Sequence, residues 1–414
     1  MKKTLICLAL VVALLASQCC MVAFAEGEKP ETLILVTDNG CLAQYEMVAD
    51  KFYEKYGIDV EIIDVAYDNM HDKITTMVLG GTQIDLFSVD TIWPAEFLSA
   101  KIAQPVTQYF SQEELDALFP GYVEEFTING ELAGVPTLTN SKWLFYNKAY
   151  LEQAGYDHAP TTWDELAEMS KAVVDKGICK YGIAWSGLQA EGVVCEFGVL
   201  LDSFGGAWQD ADGKWTFNSE EGKQALDFMV EGAKQGWADP ASSTYSDRVV
   251  LDPFMAGDIA FVLCWSYAYG FCNDPDNSTI AGNVDIALVP GANGTKTGSV
   301  TGGGGLGVSY TTKYPEHAVE FLKLAVSYDI QKDALESYSN MPVLKSVLAD
   351  EELLKANPEF AVMADEYNYS TKRPTVTAYS EWSAQFQSYL NQALAGTMSV
   401  DEALKAAEEW SAKF

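Results

Sequence analysis

The sequence predicts an α/β protein with two lobes, each a helix-covered and mostly parallel sheet. Short apolar runs typical of buried strands alternate with longer amphipathic runs typical of helices. The chain has 414 residues, which exceeds one ordinary hydrophobic core and favours two lobes. Hydrophobic residues make up 48% of the sequence and aromatic residues 12%, so the chain is expected to fold rather than to remain disordered.

The first 25 residues have the pattern of a secretory signal peptide. Two lysines precede an apolar run, and the sequence AFA at 23–25 offers the small residues of a cleavage site. Cleavage after Ala25 is the expected processing, and lipid attachment at Cys20 or Cys19 is the alternative. In both cases we expect an exported protein, located in the periplasm or on the outer face of the cytoplasmic membrane.

In the first part of the chain, strand and helix patterns alternate. The predicted order is strand, helix, strand, helix, strand over the segments 32–37, 42–57, 58–65, 70–81 and 83–89. Gly57 is expected to end the first helix. This order predicts parallel strands covered by helices, with ligands meeting the loops at the carboxyl ends of the strands. The segments 37–40 and 89–93 are therefore expected at one rim.

A second unit is expected to start near Gly134. The segment 142–147 has the pattern of a strand. A helix is predicted after Thr162, which is expected to form a capping box with Glu165, and Gly177 is expected to end this helix. Farther along, the segment LCWSYAYGFC at 263–272 packs four aromatic rings into ten residues, which are either core residues or a surface for a flat ligand.

Acidic residues far outnumber basic ones. Without the two signal lysines, 24 Lys and Arg (26 − 2) accompany 59 Asp and Glu, which gives a net charge near −35 (24 − 59). Such a surface repels nucleic acid and anionic lipid headgroups, so no nucleic-acid partner is expected. Only three His are present, which argues against a His-rich metal site. We therefore predict no metal and no cofactor.

The cysteine content does not indicate a disulfide framework. Of the eight Cys, three lie in the signal segment, and the remaining five form an odd set without a CxxC motif. Cys264 and Cys272 are predicted to be free buried thiols, although the spacing leaves a pair open.

Nine segments, taken in order, resemble the extracellular solute-binding proteins of sugar ABC importers, specifically the maltose- and trehalose/maltose-binding group. The segments are DLFSVDTIWPAEF, LAGVPTLTNSKWLFYNKAYLEQAG, PTTWDEL, QAEGVVCEF, FMAGDIAFVLCWSYAYG, GGGGLGVS, AVEFLKLAVS, KRPTVTAYSEWS and ALAGTMSVDEAL. The resemblance implies a monomer with the two-lobed periplasmic-binding-protein fold (type II, maltose-binding-protein-like), three hinge crossings and a sugar bound between the lobes for delivery to an ABC permease in the membrane.

The same resemblance implies a division of the chain. The N-terminal lobe is expected to comprise residues 26–138 and 304–340, and the C-terminal lobe residues 139–303 and 341–414.

The resemblance also implies ligand-binding roles for individual residues. Asp90 and Trp93 match an aspartate and a tryptophan at the rim of the cleft, although a strand-end cap and a core position are the alternatives. A carboxylate can accept hydrogen bonds from two sugar hydroxyls. Trp265 and Tyr267 match an aromatic pair that stacks on sugar rings, whose C–H face is weakly apolar. Tyr269 and Phe271 are instead expected in the core.

Two charged residues also belong to the expected ligand-binding residues. Arg373 matches the arginine near the third crossing and offers five donors in a fixed geometry, with an ion pair as the alternative role. Glu191 matches a glutamate that either binds sugar or caps a helix.

Several positions depart from the pattern of the group. The aspartate after GVP is Asn140, and a nearby tyrosine is Leu138. The glutamate of the first strand–helix turn falls near Cys41, which leaves its role to Asn39. Gly304 replaces a tryptophan, so the pocket is expected to be wider or differently filled there. We therefore expect a neutral mono- or oligosaccharide, with a glucoside as one option, rather than trehalose or maltose.

The segment TGGGG at 301–305 lacks the spacing of a phosphate-binding loop, and a hinge or close packing explains it better. Two rival functions remain. A glycoside hydrolase needs paired carboxylates, for which Asp90 and Glu191 are candidates. A binding protein of the same fold for iron or a polyamine is the other, although no tyrosine pair suits iron and Arg373 opposes a polyamine.

Overall fold

The computed structural model describes residues 29–376 and 378–414. The predicted signal peptide and the candidate lipid-attachment residues Cys19 and Cys20 lie outside the described residues.

The described residues form an α/β structure. The strands are β1 (Thr32–Asp38), β2 (Asp59–Val65), β3 (Leu86–Asp90), β4 (Ala103–Gln104), β5 (Thr127–Ile128), β6 (Glu131–Leu132), β7 (Val135–Ser141), β8 (Trp143–Asn147), β9 (Tyr181–Ala184), β10 (Ile259–Cys264), β11 (Val284–Ala287), β12 (Ser299–Ser309) and β13 (Ser370–Thr371). The helices are α1 (Leu42–Tyr56), α2 (Tyr67–Leu79), α3 (Pro94–Ser99), α4 (Gln112–Asp116), α5 (Pro120–Phe126), α6 (Lys148–Ala154), α7 (Trp163–Asp175), α8 (Glu191–Ser203), α9 (Glu220–Lys234), α10 (Leu251–Met255), α11 (Tyr267–Asn273), α12 (Pro315–Ala325), α13 (Tyr328–Tyr338), α14 (Lys345–Leu348), α15 (Glu351–Ala356), α16 (Pro358–Glu366), α17 (Tyr379–Leu394) and α18 (Val400–Ser411).

The first sheet begins with three parallel strands. β1 lies between β2 and β3 and pairs with both of them in parallel, because α1 and α2 return the chain to the same edge. Gly57 ends α1 in the left-handed conformation, with φ of 60°. The predicted parallel sheet is therefore confirmed, although α2 begins three residues earlier than the segment 70–81.

β12 extends the same sheet. It pairs antiparallel with β3, β4 and β7, and parallel with the short strand β13. β7 stays in this sheet as far as Ser141, so the second sheet begins at Trp143 rather than near Gly134.

The second sheet has the strand order β11-β8-β10-β9. β8 pairs antiparallel with β11 and β10, and β10 pairs parallel with β9. Two of these three pairings are antiparallel, so the mostly parallel sheet predicted for the second lobe is corrected to a mostly antiparallel one. The alternation of strand and helix patterns does not fix the direction of each strand, and mixed sheets are common. Along β8, Leu144 belongs to one hydrophobic cluster, whereas Trp143 and Phe145 belong to another. Successive side chains of a strand point to opposite faces, so this sheet is buried on both faces.

We call the first sheet with its helices the first lobe, and the second sheet with its helices the second lobe. The first lobe has its own hydrophobic core, separate from the two clusters of the second lobe. The chain passes between them along β7 and β12. The hydroxyl of Ser141 lies 3.0 Å from that of Ser299 and 2.7 Å from that of Ser370, which ties β7, β12 and β13 together. The exact limits 138/139, 303/304 and 340/341 stay a prediction.

One local expectation is corrected. Thr162 caps α7 by accepting from the backbone N–H of Glu165, but the Glu165 carboxylate accepts from the N–H of Thr161 at 2.7 Å, so the predicted reciprocal box is displaced by one residue. In the aromatic segment after β10, α11 begins at Tyr267. Tyr269 and Phe271 are half-buried on the adjacent cluster.

The glycine run in β12 serves close packing. A Cβ at Gly302 would lie 2.3 Å from the Trp265 ring, and one at Gly305 would lie 2.0 Å from the carbonyl oxygen of Val135. Gly303 has φ of 110°, a conformation that favours glycine. These positions require glycine because neighbouring strands and the indole ring lie so close to the backbone that a side chain would overlap them.

The cysteines near the second sheet do not form a disulfide. Cys264 and Cys272 are buried and free. Within residues 29–376 and 378–414, no helix combines the length and apolar character needed to cross a bilayer. The same residues contain no cluster of three or more His, Cys, Asp or Glu arranged for a metal ion.

Candidate ligand-binding cleft

Asp90 ends β3 at the rim that the strand order predicts. Its Oδ2 accepts a hydrogen bond from the Tyr67 hydroxyl at 2.9 Å, and its Oδ1 lies 2.8 Å from Nη2 of Arg373. The neighbouring carboxyl end of β1 contributes Asp38. Burial, together with nearby Asp90 and Asp64, raises the pKa of Asp38. The rim therefore carries the carboxylate oxygens of Asp38 and Asp90, because the carboxyl ends of the parallel strands β1 and β3 meet at the same edge of the sheet.

Arg373 joins the two lobes. Its Nη2 contacts Asp90 and also donates to the Thr91 hydroxyl at 3.1 Å, whereas its Nη1 donates to Oε1 of Glu191 at 3.0 Å. The side chain is 3% exposed. Burial alone would lower the pKa of this guanidinium, but the adjacent carboxylates raise it above its usual value. One planar cation thus connects a carboxylate of the first sheet to one on α8.

Glu191, the first residue of α8, is surrounded by donors. Its Oε1 accepts from Arg373 and from the Tyr379 hydroxyl at 2.6 Å, and its Oε2 accepts from the Ser383 hydroxyl at 2.5 Å. Gln387 donates to the same oxygen at 3.4 Å. Tyr379, Ser383 and Gln387 lie four residues apart on one face of α17. These three residues were not predicted as site residues from the sequence, although their spacing of four residues already places them on one face of a helix.

Trp265 follows β10 directly and is half-buried. Its Nε1 donates to Oδ2 of Asp247 at 3.0 Å, and Nζ of Lys142 lies 5.5 Å from the centre of the ring. Since Gly302 leaves room beneath the indole, these three neighbours fix the plane of the ring. The ring is also the position at which the resemblance predicts sugar stacking.

Asp247, Lys142 and Glu196 form a buried charge cluster that the sequence analysis missed. Nζ of the fully buried Lys142 lies 2.7 Å from Asp247 and 3.5 Å from Glu196. Burial would raise the pKa of Asp247, but Lys142 outweighs burial and holds it below its usual value. Burial dominates at Glu196, whose pKa is raised. No local sequence pattern predicts this cluster, because its three residues are more than fifty positions apart in the sequence.

The remaining candidate residues occupy different surroundings. Asn140 uses its Oδ1 to accept from the backbone N–H groups of Ser141 and Ser266, each at 3.1 Å, and so anchors the backbone next to Trp265. The Tyr267 hydroxyl lies 3.7 Å from the Cys264 sulfur. Asn39 is exposed in the turn after β1. Gly304 pairs with Asp90 across β12 and β3, so its backbone forms part of the rim.

Trp93 is 4% exposed and belongs to the core of the first lobe. It stacks with Tyr67 at 6.1 Å and with Phe97 at 5.6 Å between ring centres. In this position it supports Tyr67, which in turn binds Asp90. The ligand-binding roles of Trp93 and of the other candidates stay predictions.

Asp68, at the start of α2, faces the second lobe. Partial burial and repulsion from Asp247 raise its pKa. The cleft therefore combines carboxylates of both lobes, a guanidinium and the indole of Trp265. Such a set can hold hydroxyl groups with charge-assisted hydrogen bonds while an aromatic plane covers an apolar face.

Over most of its length, the chain is similar to known binding proteins of ABC transporters. The chain is 29% identical over 371 residues to a probable ABC transporter-binding protein of Deinococcus radiodurans, covering 87% of each. The structure of maltose-bound T. maritima MalE3 superimposes with a TM-score of 0.86 and 32% identity, covering 92% of this chain and 100% of that one. An ABC transporter solute-binding protein of Thermotoga lettingae, bound with α-D-tagatose, gives a TM-score of 0.84 and 27% identity over 92% and 98% of the two chains.

These matches identify the fold as that of the two-lobed, maltose-binding-protein-like solute-binding proteins, as the sequence predicted. The sequence model for bacterial extracellular solute-binding proteins matches residues 40–332, which include strands of both sheets. The chain therefore belongs to the family of bacterial extracellular solute-binding proteins.

Proposed function

We propose that this protein is the sugar-binding component of an ABC importer and that it captures a neutral mono- or oligosaccharide between its lobes. The observation that carries the proposal is the geometry around Arg373, which joins Asp90 of one lobe to Glu191 of the other, with the indole of Trp265 fixed in the second lobe. A ligand stabilises a closed state through contacts with both lobes, and these groups belong to both.

The relatives support the same ligand class. The solved structures described above contain maltose and α-D-tagatose, which are uncharged polyhydroxylated molecules. Carboxylates accept hydrogen bonds from hydroxyl groups, the guanidinium donates to hydroxyl oxygens, and the indole covers C–H faces. A neutral sugar uses all three kinds of group without leaving a charge unpaired.

A thermal-shift panel tests the ligand class. The full chain is heated with maltose, D-tagatose, D-mannitol, putrescine and ferric citrate in separate samples. A ligand that binds only the folded state raises the melting temperature by mass action, so we expect a rise with at least one neutral sugar or polyol. A rise with putrescine or ferric ion alone would replace the sugar by a polyamine or iron as the ligand.

Calorimetry then locates the binding site. With the sugar that the panel selects, Trp265→Ala is expected to remove most of the affinity, at least about tenfold, because buried tryptophans dominate binding energies. Asp90→Ala is expected to remove a large part. Tyr53→Ala, at an exposed position on α1, is the control and should bind as the wild type does. Unchanged dissociation constants in both cleft variants would contradict the proposed site.

The proposed role is binding without chemistry. A glycoside hydrolase would use two carboxyl groups held at a fixed separation across the scissile bond, whereas Asp90 and Glu191 lie on different lobes, so a movement of the lobes changes their separation. We expect no release of reducing ends when the protein is incubated with oligosaccharides. Production of reducing sugar that Glu191→Gln abolishes would establish the hydrolase instead.

The membrane permease of the importer is the proposed partner, and the protein is proposed to act as a monomer outside the cytoplasm. The family itself is extracellular. Attachment through Cys20 or Cys19 is a further proposal, which mass spectrometry of the processed amino terminus tests by distinguishing an acylated cysteine from a chain that begins at Glu26.

A further inference from the structure

Tyr67 is the first residue of α2, and its ring has a fixed orientation. The ring stacks on Trp93 with 6.1 Å between the centres and 17° between the planes. The hydroxyl donates to Oδ2 of Asp90 at 2.9 Å. Trp93 belongs to the core of the first lobe, whereas Tyr67 is only half-buried. One face of the tyrosine ring is therefore covered from the core, and the opposite face is directed away from the core.

Tyr67 lies where the two lobes meet. The Asp90 carboxylate that accepts from its hydroxyl is connected through Arg373 to Glu191, the first residue of α8. Ile92, two residues after Asp90, packs against hydrophobic clusters of both lobes. The uncovered face of the Tyr67 ring therefore borders the space between the lobes.

Trp265 provides an aromatic surface on the opposite lobe. The backbone of Gly302 lies against the indole. Nζ of the fully buried Lys142 lies over the ring, 5.5 Å from its centre. Both neighbours approach from the interior, yet Trp265 is only half-buried, so the rest of the ring is available from the cleft.

The two aromatic residues are close to each other across the cleft. Oδ2 of Asp247 accepts from the Trp265 indole at 3.0 Å. On the first lobe, burial and the charge of Asp247 raise the pKa of Asp68, the residue after Tyr67. Charges in solution influence each other strongly only within about 10 Å. The start of α2 therefore lies opposite Asp247 and the indole that it holds.

An occupant between two aromatic surfaces needs an apolar face on each side. A six-membered sugar ring with equatorial hydroxyls carries C–H groups on both faces, which aromatic rings can cover, and its hydroxyls surround the edge. Asp247, whose side chain is 23% exposed, lies at the edge of the indole and can accept from such a hydroxyl. An acyclic polyol has no ring faces, and it loses more conformational freedom when it is held in one shape.

We propose that Tyr67 determines the specificity of the cleft, because together with Trp265 it encloses one six-membered sugar ring of the glucopyranose type and disfavours acyclic polyols. The inference rests on the sugar-binding function proposed above, to which it adds the shape of the sugar.

Calorimetry of the full chain tests this selectivity. Maltose, cellobiose and sucrose each contain a glucopyranose ring, whereas D-mannitol and ribitol are acyclic. At least one of the glucosides is expected to bind at least about tenfold more tightly than either polyol. Polyols that bind as tightly as the glucosides, or a failure of all the glucosides to bind, would overturn the proposal.

Two variants separate the ring of Tyr67 from its hydroxyl. With the glucoside that binds, Tyr67→Leu is expected to weaken binding at least about tenfold, because an aliphatic side chain has no flat face. Tyr67→Phe keeps the ring and loses only the hydrogen bond to Asp90, so it is expected to retain most of the affinity. Tyr310→Ala, at an exposed tyrosine on the first lobe, is the control. Equal losses in the Leu and Phe variants, or wild-type affinity in the Leu variant, would overturn the role of the ring.

A measurement on the wild-type protein does not depend on the folding of a variant. One sample is deuterated except at its tyrosine side chains, and another except at its tryptophan side chains. Saturation-transfer nuclear magnetic resonance then follows the glucopyranose protons, of which H2 and H4 lie on one face and H3 and H5 on the other. Tyrosine and tryptophan are expected to saturate opposite faces. Transfer to the same face in both samples, or no transfer from tyrosine, would contradict the enclosure of the ring.

This inference and the proposed function fail separately. If D-tagatose or D-mannitol binds and none of the glucosides does, or if Trp265→Ala loses affinity and Tyr67→Leu does not, the cleft still binds polyhydroxylated compounds and the role of Tyr67 falls. If only putrescine or ferric ion raises the melting temperature, both fall.

Discussion

Lys142 determines the charge of the cleft wall at the residue scale. It is fully buried and follows β7 directly, so its ammonium is held between Asp247 and Glu196. A buried cation without a partner is strongly unfavourable. Asp247 therefore has two tasks, since it neutralises Lys142 and also accepts the hydrogen bond of the Trp265 indole.

Asp247→Asn is expected to destabilise the protein by about 3 kcal/mol, because removal of the nearer carboxylate leaves the buried charge of Lys142 with Glu196 alone, at 3.5 Å. Urea denaturation measures the change. Asp252→Asn is a matched control, since Asp252 pairs with Arg248 on an exposed helical surface, where such a pair contributes less than about 1 kcal/mol. If the two variants lost the same free energy of unfolding, the buried pair of Lys142 and Asp247 would contribute no more to stability than an exposed ion pair.

Gly302→Ala is expected to cost about 1–3 kcal/mol and to displace Trp265, because the added methyl group would overlap the indole. Urea denaturation measures the stability, and tryptophan fluorescence reports the ring. Gly121→Ala is the control, since a Cβ there meets no atom within 4 Å. If Gly302→Ala behaved like Gly121→Ala, the indole would not lie against the backbone of β12.

The resemblance identified Asp90, Glu191 and Arg373 because each lies in a short local motif. The structure brings these three side chains together. The resemblance could not identify Lys142 or Asp247, because these two residues matter through an ion pair between positions 105 residues apart in the sequence. Burial and partnership depend on the path of the whole chain, and neither is encoded in the neighbours of a residue.

At the element scale, α2 and α17 meet across the lobes. Ser380 at the start of α17 donates to Oε2 of Glu96 at 3.0 Å, and Nε2 of His71 on α2 lies 3.0 Å from Oε1 of the same carboxylate. Asp72 faces the other ring nitrogen at 3.2 Å. Burial would lower the pKa of His71, but the hydrogen bonds and charges of Glu96 and Asp72 together outweigh burial, so the pKa is raised.

The raised pKa of His71 gives a pH dependence with a defined sign. The contribution of protonated His71 is complete below the unfolded value of about 6.5 and is lost as the pH rises through the higher folded value. The free energy of unfolding of the wild type is therefore expected to fall by up to about 1 kcal/mol over this interval. The His71→Gln variant should lack this component in urea denaturation between pH 6 and 9. Identical slopes in both proteins would contradict it.

Elements with strong local signals were predicted well. β1, α1 and β2 follow the apolar patterns almost to the residue, because α1 buries one regular face and the two strands are short apolar runs bounded by polar or turn residues. The short helix α11 was not predicted, since its aromatic rings pack against a neighbouring cluster and the segment has no clear periodic pattern.

At the scale of the whole molecule, Arg373 connects the lobes, and we propose that it stabilises their closed arrangement. Arg373→Met is expected to weaken sugar binding at least about tenfold, since hydrogen bonds to charged groups contribute about 1.5–3 kcal/mol. It should also prevent the decrease in radius of gyration that saturating sugar causes in the wild type, as measured by small-angle X-ray scattering. Lys323→Met, which removes an ion pair with Glu114 on the first lobe, is the control. Normal closure of the Arg373 variant would show that the bridge is dispensable.

By itself, the sequence determined the α/β class, the parallel order of the first strands and the family likeness, because these depend on local periodicity and on short motifs. The tertiary structure alone decided which side chains meet. It placed Arg373 between two carboxylates, buried Trp93 behind Tyr67, and set the indole of Trp265 over a glycine with Asp247 and Lys142 beside it. The physical reason is that hydrogen bonds, ion pairs and burial act over a few ångströms in space, whatever the separation along the chain.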